Sequence, residues 1–420
     1  MTYRSTSGGV RPVRLLFLSP VGVVGGAERT LLDLLDCLRR ASDGPWLGLI
    51  AGAEGPLTEQ ARALGVETLA LPLPSELATL GDSQLRGAGA DRVLRFGASL
   101  ARATPAAAGH LLSLQRALRN FRPTLIHSNG LKTHLLAALC APGAPVVWHI
   151  HDFLGERPLL RRVLRVAGVR AAAAIANSAA VAEDARHVLG RVPVYPVHNG
   201  VDTERFAPGP AEGARLDTLA GLPPAPEGTV RLGLVATYAR WKGQEVFLQA
   251  AARLRARLPT HAVRFYVVGS PVYRTPGSQY SEAELRATAH ALGLEGHVGL
   301  IPFQAEPSTI YRALDGVVHA STRPEPFGMT IVEAMSCARA VVVSAAGGAA
   351  ELVRPGNDAL AFSPGDVEGL TEAMARLVRE PELRARLAEE ARRSVLARFT
   401  RERYASQVRD VYTRVLGGRG

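Results

Sequence analysis

The sequence predicts an α/β protein of two successive domains, each a doubly wound parallel sheet flanked by helices. Three observations predict it. The chain has 420 residues, too many for one typical core and enough for two of about 200 residues. Apolar runs of strand length alternate with stretches of helical spacing, the signature of βαβ units. The alternation stops at a Pro/Gly-rich stretch near the middle of the chain and then restarts.

The first strand is "VRLLFLS" (13–19), a continuous apolar run suited to a strand buried on both faces. A Gly25-Gly26 turn follows and leads into a helix on which Leu31, Leu34, Leu35 and Leu38 keep helical spacing. Later strands are "TLIHSN" (124–129), "PVVWHIHD" (145–152), "AAAAIANS" (171–178) and "VPVYPVHNG" (192–200). The segment 206–228, "FAPGPAEGARLDTLAGLPPAPEG", reads as a linker. The second series runs strand "VRLGLVAT", helix "KGQEVFLQAAARLRARL", strand "VRFYVVGS" and helix "SEAELRATAHALGL". It continues with strands "HVGLIPF", "DGVVHAS" and "RAVVVSA". The expected domains are 1–205 and 206–398, with a C-terminal helix in 399–420 returning to the first. Ligands of such sheets bind beyond the carboxyl ends of the strands, so the expected site is a cleft between the two domains.

Composition narrows the function classes. A chain 47% hydrophobic and 21% charged reads as an ordinary soluble protein. No apolar run reaches the ~18 residues of a spanning helix, and the N-terminus lacks a signal-peptide core. Cys37, Cys140 and Cys337 are far apart and form no CxxC, which points to a reducing cytoplasm without disulfide or zinc. Formal net charge is +11. Segment 84–182 holds thirteen Lys/Arg against Asp91, Asp152 and Glu156, a net of +10. Such a surface faces an anion: acidic lipid, a phospholipid-linked acceptor or nucleic acid. Aromatic content of 5% and the lack of any nucleic-acid motif argue against the last.

Three Gly-rich turns, "GVVGGAE" (22–28), "EPFGMT" (325–330) and "SAAGGAAE" (344–351), each stand between a strand and a helix. Free N–H groups and the dipole at helix N-termini suit phosphate. None is a Walker A or a complete G-x-G-x-x-G motif, which disfavours ATPase and dehydrogenase chemistry. The chain spends two lysines, Lys132 and Lys242, against forty-seven arginines. Both follow a strand, where a compact ammonium suits a phosphate. Glu333 interrupts the apolar face of Val332, Ala334 and Met335, where a carboxylate is costly unless something binds it. His149 and His151 close a buried strand, and His151, last before the turn, is the better site candidate. His127 and His198 read as structural.

The motifs "GGAER", "WHIHD", "VHNGVD", "ARWKGQE" and "EPFGMTIVEAMSC…GG..E" resemble, in order and spacing, those of retaining GT-B glycosyltransferases of family 4. The resemblance spans about residues 15–412. It implies two Rossmann-like domains and sugar transfer from a nucleoside-diphosphate sugar to a hydroxyl of a glycan, lipid-linked or small-molecule acceptor. Glu333 would bind the ribose hydroxyls. Glu325, with the backbone of Phe327, Gly328 and Met329, would face the sugar and its distal phosphate. Arg240 and Lys242 would clamp the diphosphate, Gly25 and Gly26 would approach it from the first domain, and His151 would contact the sugar. Pro302, Phe303 and Gln304 are candidate base contacts, and Asn129 and Lys132 candidate acceptor-side groups. The family usually has Gly-Arg where this chain has Ala236-Thr237, and Arg240 is the candidate substitute. No cofactor or metal is implied, because these cations can stabilise the leaving diphosphate. A GT-B nucleotide-sugar epimerase, a phosphorylase or a non-catalytic sugar-nucleotide-binding protein is the alternative. The segment "ERPLLRRVLRVAGVR" (156–170) is a basic amphipathic stretch, consistent with a cytoplasmic enzyme touching an anionic inner leaflet.

Overall fold

The computed structural model describes residues 2–4, 10–74, 90–140, 143–156, 158–272 and 277–418. The chain forms two compact units, Met1–Gly200 with Arg401–Gly420, and Val201–Thr400.

In the first unit, β1 (Thr2–Arg4) and β2 (Val10–Pro12) pair antiparallel. The main sheet holds β3 (Arg14–Ser19), β4 (Trp46–Ala51), β5 (Glu67–Ala70), β6 (Leu125–Ser128), β7 (Val146–Ile150), β8 (Ala171–Ala176) and β9 (Val194–Pro196). Its order is β5-β4-β3-β6-β7-β8-β9, with every pairing parallel. Strand side chains alternate between faces. Leu15 and Phe17 of β3 therefore enter one core while Leu16 and Leu18 enter the other. A central strand covered on both faces must be apolar throughout, which is why this one reads as an unbroken run. The helix Arg401–Gly417 brings Tyr404, Ala405, Val408, Val411 and Tyr412 into the core of Leu15 and Phe17. Arg401 Nη1 pairs with Asp36 Oδ2 at 3.2 Å.

The second sheet holds β10 (Val230–Val235), β11 (Val263–Val268), β12 (Val298–Ile301), β13 (Gly316–His319), β14 (Ala340–Ser344) and β15 (Leu360–Phe362). Its parallel order, β12-β11-β10-β13-β14-β15, reverses direction between β10 and β13. The segment expected to be a linker belongs to this unit. It carries the helix Gly213–Leu219, buries Phe206 and Leu216, and places Asp217 beneath the sheet. Asp217 accepts hydrogen bonds from Arg264 Nη1 (2.6 Å), Tyr266 Oη (2.5 Å) and Arg231 Nη2 (3.0 Å). Those bonds hold down a chain whose Pro and Gly content alone suggests freedom.

Candidate functional site

In a doubly wound sheet the loops leaving the two strands at the reversal point diverge and open a crevice. In the second unit those strands are β10 and β13. The chain leaving β10 forms the 3-10 turn Arg240–Lys242 and bends at Gly243. Gly243 has φ +78°, and a Cβ there would lie 1.8 Å from the Ala320 carbonyl oxygen. Glycine is thus required for the loop to rest against the end of β13. Thr322 N donates to Trp241 O at 2.8 Å and joins the two loops.

On this frame Lys242 meets Glu325. Its Nζ donates to both carboxylate oxygens at 2.8 Å and lies 4.1 Å over the Trp241 ring. Glu325 is buried and also accepts from Ser321 Oγ (2.7 Å) and His319 Nε2 (3.1 Å). Burial alone would raise its carboxyl pKa. The Lys242 charge and the hydrogen bonds from His319 and Lys242 outweigh burial and hold it far below the usual carboxylate range. The lysine that the sequence offers to a phosphate has a protein partner as well, the buried Glu325. His319 and Ser321 were missed as site residues. Their period of two at the end of a strand, ahead of a Pro-flanked glutamate, was the available signal.

Two of the Gly-rich turns lie together. Gly348 N donates to Glu325 O at 2.7 Å, and Glu325 N donates to Ala346 O at 3.2 Å. A Cβ on Gly347 (φ +63°) would come within 2.6 Å of Glu325 O. Phe327 is buried in the core, and Gly328, in a left-handed conformation, starts the helix Met329–Ser336 with no side-chain cap. The glycine N-cap thus offers no side chain to the first N–H groups of that helix, of which Ile331 N turns to Gly328 O. Val332, Ala334 and Met335 are fully buried while Glu333 is half-buried, its Oε2 accepting from Tyr311 Oη at 2.8 Å. Burial, then the Glu333 charge, raise the Tyr311 hydroxyl well above its ordinary pKa.

Arg240 is not brought to this cluster. Its guanidinium donates to Glu284 (2.6 Å) and Gly277 O (3.1 Å) and stacks 4.3 Å from the Tyr280 ring centroid. Thr237, at the position where the family usually has arginine, has a buried hydroxyl with no partner among the described residues. Pro302 and Phe303 are exposed beyond β12, and Gln304 is half-buried. Phe303 N donates to Ser270 Oγ at 3.0 Å.

In the first unit the reversal falls between β3 and β6. Gly26 opens the helix Gly26–Arg40, and a Cβ there would meet nothing within 4 Å among the described residues beyond its chain neighbours and its own helix backbone. Gly25 N donates to Glu28 Oε2 at 3.1 Å. Burial raises the Glu28 carboxyl, and backbone N–H groups oppose it. Asn129, just past β6, faces His151 just past β7: His151 Nε2 lies 2.7 Å from Asn129 Oδ1. The Asn129 amide nitrogen reaches the Ala27 carbonyl at 3.5 Å. That orientation makes Oδ1 the acceptor, so His151 Nε2 carries the proton and Nδ1 the lone pair. Burial lowers the His151 pKa to about 4 and also lowers that of half-buried Lys132, on the helix Leu131–Cys140.

Of the basic segment, Arg86 and Arg157, and the side chains of Arg92, Arg95 and Arg102, lie outside what is described. The helix Pro158–Gly168 buries Leu164 and exposes Arg161, Arg162 and Arg165 together with Val163 (51%) and Val166 (75%). Among the described residues no helix is long and apolar enough to cross a membrane, and no group of three or more His, Cys, Asp or Glu is placed to hold a metal ion.

Residues 24–205 match the family model for Glycosyltransferase Family 4, and residues 223–394 that for Glycosyl transferases group 1. A lipopolysaccharide core biosynthesis mannosyltransferase of Rhizobium leguminosarum bv. viciae is 33% identical over 226 residues, 54% of this chain and 61% of that protein. A D-inositol 3-phosphate glycosyltransferase of Rhodococcus opacus strain B4 is 34% identical over 197 residues, 46% of this chain and 42% of that one. The chain thus spans about half the length of these curated relatives. Among solved structures, Anabaena HepE in complex with UDP and glucose superposes with a TM-score of 0.76 at 25% identity, covering 96% of this chain and 99% of that one. Sucrose-phosphate synthase from Thermosynechococcus elongatus (TM-score 0.72, 18% identity, 96% of this chain and 100% of that one) shares the fold.

Proposed function

The chain belongs to glycosyltransferase family 4, a retaining family of GT-B fold, and on that premise we propose that it moves a hexose from a nucleoside-diphosphate sugar to an acceptor hydroxyl. The observation that carries this reading is the Lys242–Glu325–Ser321–His319 cluster at the strand-order reversal of the second unit. An ammonium has three protons. Two engage Glu325, and the third serves the donor's diphosphate. The bond from the anomeric carbon to the diphosphate oxygen breaks as the acceptor oxygen bonds to the same face. The acceptor proton passes to the departing diphosphate. Lys242 and the first N–H groups of the helix Met329–Ser336 stabilise the charge that develops there, the kind of term that dominates such catalysis.

Glu333 binds the ribose hydroxyls, and the backbone at Phe327, Gly328 and Met329 faces the sugar. The segment 302–304 flanks the base. Gly25 and Gly26 admit the phosphates, His151 contacts the sugar, and Asn129 and Lys132 serve the acceptor. Arg240 serves the donor only after leaving Glu284. The acceptor is a glycan, lipid-linked or small-molecule hydroxyl, and the work is cytoplasmic, at an anionic leaflet. Relatives that carry the names of a mannosyltransferase and an inositol-phosphate glycosyltransferase support the hexosyl class. HepE, crystallised with UDP and glucose, makes UDP-glucose the first donor to try.

The test is thermal shift with a panel of sugar nucleotides, followed by assays with and without EDTA. One sugar nucleotide should raise the melting temperature and be consumed only when an acceptor hydroxyl is present, with EDTA indifferent. A changed sugar nucleotide released without acceptor would identify an epimerase. No shift with any donor would overturn the proposal, and loss of activity in EDTA would overturn its metal-free form.

A further inference from the structure

Beneath His151, two histidines and two tyrosines of the first unit form a buried polar line that the transfer reaction does not itself use. Tyr412 Oη, on the helix Arg401–Gly417, lies 2.7 Å from His127 Nδ1. His127 Nε2 lies 3.2 Å from His149 Nδ1. The His149 ring lies against that of His151, centroids 4.0 Å apart. The Tyr404 ring stacks on the same His149 ring at 6.1 Å. Tyr412, His127, His149 and Tyr404 are all buried. Burial leaves both histidines neutral: His127 falls to about 3 and His149 well below its ordinary value.

A neutral imidazole has one donor nitrogen and one acceptor, so the line admits two proton orders. In one, Tyr412 donates to His127 Nδ1, and His127 Nε2–H donates to His149 Nδ1. In the other every bond reverses, and the Tyr412 hydroxyl proton has nowhere to go, because His127 is its only partner among the described residues. Each order leaves one buried donor without a partner among the described residues, His149 Nε2–H in the first and Tyr412 O–H in the second, so bond strength decides: a phenol is a better donor and a poorer acceptor than a neutral imidazole, and the first order prevails. His149 then also carries its proton on Nε2, a nitrogen that, like Tyr404 Oη, has no partner among the described residues.

We propose that Tyr412 is a positioning residue: from the C-terminal helix it sets the tautomers of His127 and His149 and so holds the ring on which His151 rests. Its consequence for turnover rests on the reading of His151 given above; the tautomers themselves do not.

The test is long-range ¹H–¹⁵N spectroscopy of histidine-labelled protein, with signals assigned by His127→Gln and His149→Gln. The wild type should show Nε2–H tautomers at His127, His149 and His151. Tyr412→Phe, which removes one oxygen and keeps the ring, should shift His127 toward Nδ1–H and move the His149 and His151 signals. With the identified donor, kcat should fall several-fold with KM little changed. Nδ1–H tautomers in the wild type, which need no variant to detect, would overturn the proposal, and so would a His151 signal indifferent to Tyr412→Phe. Tautomers that respond while kcat stays constant would overturn the catalytic consequence. A wild type with no transferase activity would count against the proposed function alone, and the spectra would still decide the role of Tyr412.

Discussion

Lys242 sits where strand β10 hands over to its helix, and its two bonds to Glu325 decide what its removal does. Lys242→Ala would strand a buried carboxylate beside His319 and Ser321. Breaking one partner out of such a pair costs about 3 kcal/mol. The variant should therefore lose stability as well as turnover, and urea titration beside a transfer assay will show both. Lys242→Ala and Glu325→Gln should each be destabilising, with the double variant less so than their sum; additive losses would mean that the pair is uncoupled. Glu333 has a similar entanglement. Glu333→Ala should weaken donor binding by about 1.5–3 kcal/mol, the scale of a hydrogen bond to a charged group. It also leaves the buried Tyr311 hydroxyl without its acceptor, so some stability is lost too. Glu333→Ala made in a Tyr311→Phe background removes that complication, and calorimetry there should still show the loss of donor affinity. Unchanged affinity would end the ribose assignment.

Among the elements, the helix Pro158–Gly168 is the basic amphipathic stretch marked in the sequence, and its valines do not follow its leucine into the core. Leu164 does turn inward, but Val163 and Val166 share the exposed face with Arg161, Arg162 and Arg165. Val169, just past its end, is 80% exposed. An apolar and basic exposed face suits the headgroup layer of an anionic bilayer, where each cation adds about 1 kcal/mol, screened by salt. Co-sedimentation should recover the protein on anionic vesicles at low salt and not on neutral ones or at high salt. Val163→Ser with Val166→Ser should weaken recovery further. Equal recovery on both vesicle types would assign this face to solvent.

At the scale of the whole molecule, the first unit carries a pH liability. His127, His134, His149 and His151 all have pKa values lowered by burial from an ordinary 6.5. In the unfolded chain each takes a proton near pH 6.5, while in the folded unit burial holds all four neutral to lower pH, His151 to about 4 and His127 to about 3. The unfolded state thus binds more protons in that window, and stability rises with pH. The contribution is complete above 6.5 and is lost as pH falls toward 4. Each histidine contributes about 1 kcal/mol per pH unit, half-buried His151 least. Melting temperature should therefore drop steeply between pH 6.5 and 5; a flat profile would mean that these rings are hydrated. Strands covered on both faces are written as unbroken apolar runs, which made β3, β7, β10, β11 and β14 legible, and glycines between strand and helix marked the turns, although only some of them, such as Gly243 and Gly347, exclude every other residue. The short β5 and β15 left no such trace. Lys242, Glu333 and His151 stood out as candidates because a rare lysine, a carboxylate in an apolar run and a histidine at a strand end are each locally costly, while Glu325, in a Pro-rich turn, entered only through the family resemblance. Their partners were not legible. Glu325 finds Lys242 across 83 residues, Asp217 gathers Arg231, Arg264 and Tyr266, and Tyr412 reaches His127 across 285 residues. Local sequence can say that a group is expensive to bury, but which distant group offsets that cost depends on where the strand order brings the chain back, and only the tertiary structure decides that.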